Sequence, residues 1–185
     1  LIALTACKGD AKNFTVSDKN IDIPVKINNH ISRKQINGIT EIENNDFIIS
    51  TLNQKVNYET IKNSFSINTV SEKSIVNIHD NTMTDKEITV SLLNDTKTNF
   101  SYYLTNAKNI LLKGIIYSTE IELMNGIKVG NNINKIEQLF GCVIEKTLNN
   151  KFRIFDSDGL IEIIINFNDL GNITYIEINT SGYVS

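Results

Sequence analysis

The sequence predicts an α+β fold in which short amphipathic helices pack on an antiparallel sheet. Three observations carry that expectation. Through most of the chain apolar residues alternate with polar ones, the period of a half-buried strand. Near residue 135 the spacing changes: Ile133, Ile136, Leu139 and Phe140 fall three and four apart, and Gly141 follows, as at a helix end. Finally, 185 residues at 41% hydrophobic and 21% charged are long and apolar enough to bury a core, unlike a disordered chain.

Taken in order, Leu1-Ile2-Ala3-Leu4-Thr5-Ala6-Cys7 is an apolar run closing on two small residues and a cysteine, the pattern at the end of a secretory signal. L-T-A-C resembles the lipobox of bacterial lipoproteins. The resemblance implies that residues 1–6 are residual signal peptide and that Cys7 is the lipidation site, thioether-linked to a diacylglyceryl group. A first strand with a core cysteine is the plainer alternative. Against it, K-G-D-A-K-N-F-T-V-S-D-K-N turns polar at once, which suits a flexible tether over residues 7–20. Two acyl chains meet the two-signal requirement for stable anchoring, at roughly 0.8 kcal/mol per buried CH₂. The expected location is the bacterial cell envelope, with the membrane as a partner through the anchor and the leaflet left open.

Residues 21–123 read as a β-rich N-terminal part. Ile21, Ile23, Val25 and Ile27 share one face, and Pro24 marks an edge or a strand start because it cannot donate to a ladder. I-N-G-I-T-E-I-E-N-N-D-F-I-I-S is expected to form two short strands around an N-N-D turn. Residues 57–65 are a helix candidate, with Tyr58, Ile61 and Phe65 at i, i+3, i+7. Strand patterning returns over 74–93 around the break H-D-N-T-M-T-D, then over 100–104, and over 110–123 with a bend near Lys113-Gly114.

Residues 124–185 are expected to form a helix followed by an antiparallel meander. Asn131 or Asn132 would cap the helix and Gly141 would end it. K-F-R-I-F, the D-S-D-G turn, L-I-E-I-I-I-N-F and L-G-N-I-T-Y-I-E-I supply the strands. Leu52, Tyr58, Ile61 and Phe65 match Ile127, Ile133, Ile136 and Phe140 at one offset, and G-I-I-Y-S-T-E-I at 114–121 echoes G-N-I-T-Y-I-E-I at 171–178 at another. Whether two tandem helix–meander units are present stays open at this level.

G-I-K-V-G-N-N-I-N-K-I-E-Q-L-F-G, with Val129, Gly130, Ile133, Ile136, Leu139 and Gly141 at the matching positions, resembles the opening of small envelope domains of the SmpA/OmlA (BamE-like) and β-lactamase-inhibitor-like kind. Two departures stand out: Cys142 and Val143 occupy the place where a Pro often follows, and a second helix is not evident. What the resemblance implies is a lipoprotein module that binds another protein through its sheet face.

Reactive constellations are sparse. Net charge is −3, which argues against nucleic acid as a partner. No apolar run reaches the ~20 residues that span a bilayer as a helix. His30 and His79 are isolated, so no zinc site is expected, and His79-Asp80 reads as a surface turn. Asp156-Ser157-Asp158-Gly159 begins like a calcium loop, but Leu160 and Phe167 stand where ligands are needed. The pairs Glu41/Glu43 and Glu120/Glu122 read as solvated strand faces rather than glycosidase acids, the chain having no Trp for a sugar platform. Tyr102, Tyr103 and Tyr117 offer either a binding patch or cross-strand packing. Cys142 reads as a core thiol, with Lys146 the only nearby base. The expectation is a non-catalytic, protein-binding or scaffolding lipoprotein with no catalytic residue, no cofactor and no metal; the alternative is a ligand-binding or hydrolytic lipoprotein acting on envelope glycans or peptides.

Overall fold

The structure, a computed structural model, describes residues 33–36, 39–77, 82–144 and 150–180. The expectations placed on Cys7, the tether, 21–27, His30, His79 and Asp80 lie outside the described residues. The elements are β1 (Arg33–Ile36), β2 (Ile39–Glu43), α1 (Asn45–Ser50), which runs on into a π turn (Thr51–Lys55), and α2 (Tyr58–Ser64). β3 (Ile67–Val76), β4 (Thr84–Leu92), β5 (Asn99–Leu104) and β6 (Asn109–Ile116) follow. A 3₁₀ turn (Met124–Gly126) and α3 (Asn134–Phe140) lead into β7 (Lys151–Phe155), β8 (Glu162–Phe167) and β9 (Ile173–Asn179).

The nine strands among the described residues form one sheet in the order β1-β2-β7-β8-β9-β6-β5-β4-β3. This corrects the expected fold class. Strand accounts for 44% of the structure and helix for 21%, so the molecule is a wide mixed sheet with a few short helices, not helices packed on antiparallel units. Two pairings cause it. β6 joins β9 antiparallel, Ile116 opposite Ile176, which fuses the N- and C-terminal strand sets edge to edge. β2 then runs parallel to β7, Ile42 opposite Ile154, so the C-terminal strands take their outer neighbour from the N-terminal part. The sheet therefore crosses the 123/124 division.

Local chemistry explains the helix ends. Asn44 Oδ1 accepts from Phe47 N–H at 2.9 Å and Asn57 Oδ1 from Thr60 N–H at 2.8 Å, each satisfying an orphan donor of a first turn. Residues 45–50 are thus helical, where two strands around N-N-D were expected. Their apolar pair Phe47-Ile48 faces the core at 1% and 0% exposure. At α3, Asn132 Oδ1 accepts from Asn134 N–H at 3.1 Å, and Gly141 takes φ 58°. That is the left-handed ending expected for α3, where a side chain would cost energy.

The helices all lie on one side of the sheet. Phe47 meets Phe140 edge-on with ring centroids 5.5 Å apart, and Phe140 lies 5.8 Å from Phe152 of β7. Tyr58 of α2 packs edge-on against Tyr102 of β5 at 5.3 Å, whose hydroxyl donates to the Val56 carbonyl at 2.9 Å. Ile42, Ile154, Ile163, Ile176 and Ile178 complete the floor at 0% exposure. Cys142 is buried at 6%, in keeping with the core reading. Strand 110–123 was expected as one run; β6 ends at Ile116, and a register shift faces Ser101/Tyr102. The echo between 114 and 171 is not structural. Gly114 lies inside β6 opposite Ile178, whereas Gly171 occupies the turn before β9 at φ 80°. Among the described residues no helix is long and apolar enough to cross a membrane.

Candidate functional site

Because side chains alternate across a pleated sheet, burying one face against the helices sends every second residue to the other. Among the described residues no helix packs on that second face. Reading across it from β2, Glu41 and Glu43 lead to Arg153 and Phe155, then Glu162, Ile164 and Asn166. Next come Tyr175, Glu177 and Asn179, then Lys113 and Ile115, with Tyr117 just past the end of β6. Most of these side chains are only half-buried, which is the exposure a platform has before a partner covers it.

A charge network organises one half of the face. Arg153 Nη1 donates to Glu41 at 3.0 Å and its Nε to Glu162 at 2.7 Å. Asn179 Nδ2 donates to the other oxygen of Glu162 at 3.0 Å. The guanidinium carbon sits 5.2 Å from the Phe155 ring centroid. Burial works against its charge, but the hydrogen bonds to Glu41 and Glu162 outweigh it and hold the Arg153 pKa above the ordinary arginine value. The network unites four strands and sequence positions as far apart as 41 and 179.

An aromatic pair marks the other half. Tyr117 and Tyr175 stack with centroids 5.2 Å apart and planes at 17°. The Lys97 ammonium lies 5.9 Å from the Tyr117 ring centroid. Tyr117 is 39% exposed. Burial, with Glu177 beside it, raises the Tyr175 pKa, so its hydroxyl stays a neutral donor at ordinary pH. A flat aromatic pair on the same face as a fixed guanidinium can anchor a protein surface, since Tyr and Arg lose little conformational entropy on contact and dominate interface hot spots.

The structure separates most of the residues singled out from sequence. Glu41 and Glu43 do share a face of β2, but Glu41 is buried and tied to Arg153 rather than solvated as expected. Glu120 and Glu122 lie past the end of β6, not on a strand; Glu122 pairs with Lys128 at 2.7 Å, whose hydrogen bond lowers its pKa. Tyr102 points into the core, whereas Tyr103 is on the open face, its hydroxyl donating to the buried Asp85 at 2.6 Å. The three tyrosines thus form no single patch. Asp156 closes the 156–159 turn by accepting from Ile161 N–H at 2.9 Å, a hairpin role. Among the described residues no group of three His, Cys, Asp or Glu is placed to hold a metal ion. Sequence reasoning missed Arg153, Glu162 and Tyr175. Strand alternation could have put each on its face, but their partners are set by strand order.

The chain matches no protein-family model, no curated protein and no solved structure to a significant degree. The reading of its function therefore stands on its own residues.

Proposed function

We propose that the chain is a non-catalytic bacterial envelope lipoprotein, held in the membrane through Cys7, that binds another protein through the helix-free face of its sheet. The observation that carries this reading is that the Tyr117–Tyr175 stack and the Arg153 network share one face of the sheet, on which no helix packs among the described residues. L-T-A-C supports the anchor. The likeness of 126–141 to SmpA/OmlA (BamE-like) modules points to protein binding by analogy alone.

Two measurements test it. Affinity purification from detergent-solubilised membranes should recover one defined partner, and Tyr117→Ala with Tyr175→Ala should reduce recovery about thirtyfold, the loss of a ~2 kcal/mol hot spot. Recovery unchanged by the double substitution, or no partner at all, contradicts the binding face. Mass spectrometry should find diacylglyceryl on Cys7 and lose it in Cys7→Ser. An unlipidated wild type made with its complete signal contradicts the anchor.

A further inference from the structure

At one end of the sheet, on the helix side, a cavity of about 390 Å³ opens between the π turn and the ends of β6, β8 and β9. That volume falls within the ~300–1,000 Å³ of small-molecule sites. Its apolar wall is aliphatic, made by Ile49 and Leu52 from the helix, Leu111 from β6 and Ile161 before β8, with Asn57 and Thr180 as polar neighbours. Among the described residues no aromatic ring lines it, so those residues offer a planar ligand nothing to stack on. Ile49 is 52% exposed, an aliphatic surface left in water at the rim.

Charge is placed as simply. Among the described residues Lys108 is the single ionisable one in the lining, and its ammonium has no carboxylate partner there. Exposed Asn53 and Asn109 add carboxamides to the rim. The helical wall is itself unusual, because Val56 N–H reaches back five residues to the Thr51 carbonyl at 3.2 Å. Such π turns concentrate at functional sites.

We propose that this cavity binds a single-chain anionic amphiphile, a medium-length fatty carboxylate. The chain lies along the aliphatic wall and the carboxylate accepts from Lys108. At the ~30 Å³ that one water takes in the liquid, the volume holds about a dozen non-hydrogen atoms, the size of decanoate. Steric room selects the length, the aliphatic wall selects a flexible chain, and the Lys108 ammonium selects the head. The site lies on the helix side and does not depend on the open-face reading.

The test is an NMR titration of the full chain with decanoate below its micelle concentration, beside decyltrimethylammonium, which has the same chain and the opposite charge. Decanoate should bind saturably at one site, shifting amides at 49–53 and 108–111, and the cation at least about tenfold more weakly. Lys108→Ala should weaken decanoate about tenfold and leave the cation unaffected. Ile49→Asp, at an exposed position that keeps the fold intact by circular dichroism, should abolish decanoate binding. Absence of saturable binding, shifts confined to other residues, or equal decanoate affinity in wild type and Lys108→Ala would overturn the proposal.

Discussion

Arg153 holds together two carboxylates drawn from opposite ends of the chain, and its substitution separates pairing from packing. Glu41 has a side chain only 9% exposed, so Arg153→Met leaves a nearly buried acceptor without its donor, at a cost of about 2 kcal/mol. Adding Glu41→Gln should recover much of that loss, read as non-additivity in urea melts. Additive penalties would mean that Arg153 acts through its stem alone. Tyr102 gives a pH signature. Burial drives its pKa far above the phenol's usual 10.0, so the folded state keeps the proton that the unfolded chain releases. Stability from this residue is complete below about pH 10 and falls as pH rises above it. Tyr102→Phe loses only the bond to Val56, about 1 kcal/mol near neutrality. Its Tm deficit should therefore hold constant up to about pH 9 and shrink as pH rises through about 10 to 11; a deficit that stays constant throughout contradicts the linkage. At this scale Gly141 and Cys142 were readable because a helix end and a small apolar neighbourhood are local. The partners of Arg153 were not, since nothing within a strand names the strand beside it.

At the scale of elements, legibility followed the same line. α2, α3 and the strands β5, β7, β8 and β9 were visible because each carries its own periodicity and its own turn. Residues 45–50 were misread because N-N-D serves a turn and a helix cap equally well, and Phe47-Ile48-Ile49 is apolar without a period. Burial decided it: Phe47 and Ile48 reach the core only as successive residues of a helix. Asn44→Ala should cost about 1 kcal/mol by orphaning the Phe47 amide, while Asn44→Asp should cost far less because the acceptor remains. Equal losses in thermal melts would mean that Asn44 serves β2 and not the cap.

Across the whole molecule, the decisive event is the fusion of two strand sets into one sheet. β6–β9 pairing and the parallel β2–β7 pair are non-local, and non-local register is what periodicity cannot encode. The architecture bears on the proposed function, because a sheet whose described helices all lie on one side leaves its other side open to the partner proposed above. In-cell photo-crosslinking asks this directly, with a benzophenone side chain at Tyr117 on the open face or at exposed Glu59 on α2. The account expects one adduct of defined mass from position 117 and none from position 59. Adducts of the same mass from both positions, or none from a folded and expressed protein labelled at 117, would contradict it.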